Sequence, residues 1–527
     1  MNIHTSIENL LSDDARAFLA KPKQMLIGAE WRDAQSGDTF DTIDPASNTL
    51  ICKVAHAGDA DVDMAARVAQ QALEGDWAKF TPADREAAMR RFADLIEKNS
   101  ELIGQIESLD SGKPAEHIKF VDVPLSVGAM RYNAGFPSKI QGDTLPVTAP
   151  DMHVYTRREP IGVVGAIVPW NFPICQACFK LAPALAAGCT VILKPAEQTP
   201  LSALILGELA LEAGIPAGVI NILPGHGETT GQAIVDHPGI HKIAFTGSEP
   251  VGKMIAARGA AHLKHVSLEL GGKNPNIIFA DSDIETAAAT AAMAIFFYSG
   301  QVCTAGSRLL VEEKVYDRVA EIVLQEAGKV AVGHGLRPTT TMGPLVSAEQ
   351  LERVSSYVDT ARAEGVEVSY GGNRCGEVID GLSANAFPDV TAQRAADGAA
   401  QPETTGHQKR LPPALQAPRK HLIHKMHGDC VVQAKTRKMQ KLANTDPQNR
   451  FHQRRHPLPR RRIARARRHL GLRRHGLDPA DPATPATRPL RRLPGLRCGA
   501  RWQPGGDRPC HAAEGHRAAR QTRDAAG

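Results

Sequence analysis

Cys303 stands in Ser299-Gly300-Gln301-Val302-Cys303-Thr304, just past the end of an apolar helical run. Upstream, Glu269 opens Glu269-Leu270-Gly271-Gly272-Lys273. A thiol freed from regular backbone can meet a substrate, whereas a cysteine inside a buried helix is usually inert filler. A carboxylate brought to such a thiol can take its proton, directly or through a water. Taken alone, Cys303 is filler more often than nucleophile. Its company changes the balance, because Pro169-Trp170-Asn171-Phe172-Pro173 adds a carboxamide, Asn171, to the same chain. Cys175-Gln176-Ala177-Cys178 could be a redox dithiol, but no second pair completes a zinc site, and a lining role is the better reading.

These residues need a frame. From Ile161 onward, short Val/Ile-rich runs alternate with alanine-rich helical stretches: 161–169, 190–194, 219–223, 242–245 and 266–270. That alternation is the mark of a parallel sheet wound with helices, which places ligands at the carboxyl ends of its strands. Trp170 and Asn171 follow the first run, Lys194 and Glu197 end the second, Gly225-His226-Gly227 follow the third, and Gly247-Ser248 the fourth. Each has a plain reading. Gly225-x-Gly227-x-x-x-Gly231 misses the dinucleotide fingerprint by one residue, and Lys194 with Glu197 could be a solvated pair. Gly247 to Gly252 opens a helix whose N–H groups could hold a pyrophosphate, though many helices begin so. Residues 281–298 read as a helix, with Ser282 and Glu285 spaced as a capping box, delivering Cys303 just past its end. Residues 59–75 and 82–98 read as packing helices, and 144–160, with Pro146 and Pro150, as an extended arm.

The three motifs together resemble the NAD(P)-dependent aldehyde dehydrogenase family, from roughly Met25 to Pro388. The resemblance implies an α/β fold: a Rossmann-type cofactor domain from 1–143 and 161–272, an oligomerisation arm at 144–160, and a partial catalytic domain at 273–390. It implies Cys303 as nucleophile, Glu269 as base and Asn171 as a donor to the oxyanion. Cofactor contacts would fall on Ile167, Pro169, Trp170, Lys194, Glu197, Gly227, Phe245, Gly247, Ser248, Gly252 and Leu270. A carboxylate at Glu197 repels a 2′-phosphate, favouring NAD over NADP. Phe172, Gln176, Phe179, Phe297, Val302 and Thr304 would border a tunnel suited to an aldehyde with a hydrophobic or aromatic body. Met130-Arg131-Tyr132-Asn133-Ala134-Gly135 leans toward the phenylacetaldehyde-type members, with betaine aldehyde and aliphatic aldehydes left open. A homodimer or homotetramer is expected.

The composition divides the chain. Of its 527 residues, 401–527 carry 23 Arg and 6 Lys against 6 Asp and 2 Glu, so a net +5 overall hides +21 there and −16 on residues 1–400. An acidic main part argues against nucleic acid as its partner. Nine cysteines without regular spacing make no disulfide framework, the first twenty residues make no secretory signal, and Pro169, Asn171, Pro173 and Lys180 interrupt the apolar stretch 161–193. A cytoplasmic protein with no metal and no membrane partner is expected. Past Gly372 the resemblance lacks its Glu-Ile-Phe-Gly-Pro segment. Residues 391–527 read instead as an anomalous basic tail, too poor in apolar side chains to offset its ordering entropy and expected to be disordered. An Arg/Pro/Ala/Gly/His mixture is what a GC-rich coding region yields in the wrong frame. That reading ranks ahead of a nucleic-acid-binding tail.

Overall fold

Runs of β-branched residues form strands where both their faces can be covered. In the computed structural model, which describes residues 5–374 and the backbone of Pro388–Asp389, His421–Met426 and Cys430–Lys435, the five runs become the strands Val163–Ile167, Thr190–Lys194, Ile220–Ile222, Lys242–Gly247 and His265–Leu270. All five pair in parallel. Every residue of Val163–Ile167 and Thr190–Lys194 is buried, as expected where helices cover both faces. Met25–Ile27 adds antiparallel to Ile220–Ile222, and Glu30–Arg32 to Met25–Ile27, giving a sheet of seven.

The order across this sheet matters more than its size. From Val163–Ile167 the chain steps outward through Thr190–Lys194 to Ile220–Ile222, then returns to place Lys242–Gly247 on the other side of the first strand. The direction of winding therefore switches between Val163–Ile167 and Lys242–Gly247. In open parallel sheets such a point, beyond the strands' carboxyl ends, is where ligands bind.

The helices Asp59–Glu74 and Pro82–Lys98 fall where helical spacing placed them. Thr81 caps the second, accepting from the Asp84 backbone N–H, with Pro82 in the first turn where its missing N–H costs nothing. A second sheet has the order Pro275–Ile278, Arg308–Val311, His421–Met426, Cys430–Lys435, Glu367–Gly371. Its first two strands are parallel and the others antiparallel. The expected domain boundary at 272 lies between the last strand of the first sheet and the first strand of this one.

Three expectations need adjustment. The helix before Cys303 runs Ile284–Phe296, and its cap is Asp283, whose carboxylate accepts from the Thr286 N–H; Ser282 donates its hydroxyl to the Phe279 carbonyl instead. It also does not lead straight to the thiol, because Tyr298 and Ser299 adopt left-handed backbone (φ 48° and 52°). Finally, two strands of the second sheet, His421–Met426 and Cys430–Lys435, come from the stretch in which no order was expected. The rest of that basic tail lies outside the described residues. The chain divides into two units, Met1–Arg450 and Phe451–Gly527, and every described residue belongs to the first. Residues 144–160 carry only the two-residue strands Thr144–Leu145 and Val154–Tyr155, with Leu145, Met152 and Tyr155 exposed. Among the described residues no helix is long and apolar enough to cross a membrane.

Candidate active site

The loop carrying the thiol is held from three sides. The Tyr298 hydroxyl donates to the Ser111 carbonyl (3.1 Å) and the Ser299 hydroxyl to the Gly343 carbonyl (2.8 Å). Gln301 accepts at its side-chain oxygen from the Val346 N–H (3.1 Å). Its backbone carbonyl accepts from the Asn171 amide at 2.8 Å. These bonds supply what local sequence cannot: non-glycine residues rarely hold positive φ unless tertiary contacts fix them there. Asn171, beyond the end of Val163–Ile167, is thereby tied to the turn two residues before Cys303. One of its amide hydrogens is used, and a carboxamide has two.

Among the described cysteines, Cys303 and Cys52 are half-buried, while Cys175, Cys178 and Cys189 are buried. Burial pushes Cys52 to about 11 and Cys178 to about 12, and raises Cys175 and Cys189 as well. Lining is therefore not the place of the Cys175/Cys178 pair. The helix Pro173–Ala186 turns both inward, where Cys175 lies 3.1 Å from the Asp122 carbonyl oxygen and Cys178 belongs to the main apolar core.

Glu269 sits on the edge strand, opposite Thr246, with its side chain toward solvent. Lys180, read in the sequence only as a charge interrupting an apolar stretch, donates to the Thr246 hydroxyl at 2.8 Å. Burial lowers its pKa to about 8, with the charge of Glu269 pulling the other way. A lone lysine in the apolar helix that follows the Asn171 motif was the available signal.

The residues expected to border a tunnel separate into two groups. Phe172 and Phe297 stack at 6.4 Å and Tyr298 meets Phe172 edge-on at 5.9 Å, while His117, overlooked in the sequence, stacks on Phe297 at 5.1 Å. Gln176 and Val302 are half-buried and Thr304 exposed. Phe179 is 44% exposed and makes no ring pair among the described residues.

The residues expected to contact a cofactor lie along the parallel sheet and just past its strand ends. Lys194, almost wholly buried, donates to Glu197 at 3.1 Å and to the Pro195 carbonyl at 2.9 Å. Burial opposes the charge of Glu197, but the Lys194 ammonium prevails and holds its pKa below the ordinary carboxylate value. Glu197 lines a cavity of about 310 Å³ with Phe40, Gln198 and His226. Across the switch point, Gly247 ends its strand and Ser248 precedes the helix Glu249–Ala261 without a side-chain cap, leaving the first-turn N–H groups for another acceptor. Gly252 lets that helix lie on the sheet, since a Cβ there would come within 2.6 Å of Leu270. Ile167 and Phe245 are buried, Pro169 and Trp170 are half-buried just past the end of Val163–Ile167, and Gly227 begins the turn after the third strand. Among the described residues no cluster of His, Cys, Asp or Glu is arranged to hold a metal.

A family model, the aldehyde dehydrogenase family, matches residues 31–391. The chain belongs to that family. Human retinal dehydrogenase 2 is 44% identical over 374 residues, covering 70% of this chain and 72% of its own. Aldehyde dehydrogenase family 2 member C4 of Arabidopsis thaliana is 44% identical over 370 residues, covering 70% and 74%. Among solved structures, the NAD+ complex of an aldehyde dehydrogenase from Bacillus cereus superposes with a TM-score of 0.69 at 44% identity, covering 72% of this chain and 76% of that one. The expected reach of the resemblance and its failure past about Pro388 agree with a match that stops at 391. So do the α/β fold and the class of enzyme, an NAD-dependent oxidoreductase acting on aldehydes.

Proposed function

We propose that this chain oxidises an aldehyde with a hydrophobic or aromatic body, such as phenylacetaldehyde, to its carboxylic acid through Cys303. The observation that carries the reading is the Asn171 amide tied to the Gln301 carbonyl. That bond brings a carboxamide donor and the thiol loop to one place, at the switch point of a parallel sheet. The Phe172–Phe297 stack supports the aromatic lean.

The residues present fit a dinucleotide. An uncapped helix N-terminus suits a pyrophosphate, and the Lys194–Glu197 pair suits ribose hydroxyls while opposing a 2′-phosphate. NAD held there would supply a hydride acceptor. Everything else falls to the chain. Glu269, through a water, takes the Cys303 proton, and the sulfur attacks the carbonyl carbon to form a C–S bond. The oxygen of the resulting thiohemiacetal gains negative charge, met by the free hydrogen of the Asn171 amide and the Cys303 backbone N–H; one such donor is typically worth about 3 kcal/mol. Loss of hydride restores the carbonyl as a thioester. After giving up its first proton to solvent, Glu269 takes a second from water, whose oxygen bonds to the carbon as the C–S bond breaks, releasing the acid and the thiolate.

The exposed apolar side chains of 144–160 support assembly as a dimer or tetramer, and a cytoplasmic location fits the lack of regularly spaced cysteines. A second reading, a product that keeps the cofactor half without catalysis, is favoured by one fact: the family match ends at 391. NADH fluorescence on adding phenylacetaldehyde to the full chain with NAD separates them. Growth of the signal supports oxidation, and NAD binding without growth for phenylacetaldehyde, betaine aldehyde or hexanal supports the second.

A further inference from the structure

Lys113 has no part in the mechanism, yet it is one of the largest fully buried side chains. It follows the helix Ser100–Ser111 and Gly112, whose left-handed backbone (φ 76°) and contact with Pro344 exclude a side chain. Its ammonium pairs with the equally buried Asp122 carboxylate. It also lies 3.5 Å from the ring centre of Phe172 and 4.2 Å from that of Tyr298. Those two rings belong to the two segments that must meet for chemistry. Phe172 is the neighbour of Asn171, and Tyr298 begins the turn that ends at Cys303. A desolvated cation attracts aromatic faces more strongly than one in water, so a single charge holds both rings.

We propose that Lys113 is a positioning residue for the reaction: its ammonium clamps Phe172 and Tyr298 together and so fixes the Asn171 amide relative to the Cys303 loop. The Tyr298 hydroxyl on the Ser111 carbonyl and the Asn171 amide on the Gln301 carbonyl close the clamp on either side. Asp122 keeps the charge in place. Burial pushes its carboxyl up while Lys113 pulls it back. The proposal rests on Cys303 being the nucleophile, but the clamp can be tested without turnover.

Removing Lys113 alone would strand the Asp122 charge, so the test uses the charge-neutral pair Lys113→Met/Asp122→Asn in the full chain. Hydrogen–deuterium exchange is followed in peptides spanning 168–174 and 298–304, with 59–74 as a distant reference. The clamp requires exchange in the first two to rise together, by about tenfold, with the reference unchanged. Parental exchange in either of the two peptides overturns the proposal. If the reference rises equally, the pair of substitutions has cost general stability, and Tyr298→Leu decides, since it keeps the ion pair and removes one ring with its bond to the Ser111 carbonyl, which leaves 168–174 as the diagnostic peptide. There, a rise in that peptide with the reference unchanged supports the clamp, and parental exchange in it overturns it. Where the parent produces NADH, the variants should lose kcat and keep KM for NAD. A parent that produces none refutes the catalytic reading and leaves the exchange result standing.

Discussion

Cys303, Glu269 and Asn171 could be picked out as candidates in the sequence because each sits in a short recognisable motif. Lys180 and His117 could not, for a lone lysine on an apolar helix and a lone histidine next to a glutamate have no pattern until the fold gives them neighbours. The Cys175/Cys178 pair, by contrast, was expected to line the site and is buried. Cys303→Ala should abolish NADH formation while the Kd for NAD stays within about twofold. Asn171→Ala should reduce kcat by roughly a hundredfold or more, the usual loss for one oxyanion donor, as steady-state rates would show. Lys180 gives a pH test. Burial lowers its folded pKa from 10.5 to about 8, so between those values the unfolded chain binds the extra proton. The handicap of burying its charge is thus full below pH 8 and fades as pH rises toward 10.5. The urea midpoint should therefore gain more between pH 7.5 and 9.5 in the parent than in Lys180→Met, and equal gains would count against it.

At the scale of elements, strands and helix limits were legible where composition and period agree: Val/Ile runs for the central sheet, and Thr81-Pro82 with Asp84 for a helix start. The helix before the thiol shows the limit. Two residues there could cap, and only the backbone geometry chooses Asp283 over Ser282. Asp283→Ala should cost about 1 kcal/mol in denaturant unfolding, and Ser282→Ala less than about 0.5. A larger loss at Ser282 would reverse the assignment. The left-handed pair Tyr298 and Ser299 had no local signal at all, because neither residue type favours that backbone and its hydroxyl partners lie at Ser111 and Gly343.

For the whole molecule, the central lesson is that the chain's two chemistries divide near residue 391. The acidic part matches a family over 31–391 and forms the parallel sheet with its switch point. That architecture was readable because alternating strand and helix signals extend over a hundred residues, whereas the second sheet recruits strands from a stretch whose composition promised none. Reading the coding DNA from about codon 370 in all three frames is the cheap check on that division. A Glu-Ile-Phe-Gly-Pro segment in another frame would mark the basic tail as a misreading. The most direct test of the account is mass spectrometry of the full chain quenched during reaction with NAD and phenylacetaldehyde. It predicts NADH together with a phenylacetyl thioester on the Cys303 peptide, both absent from Cys303→Ala. NADH formed by the alanine variant, an adduct on another residue, or NAD binding with neither product would contradict it.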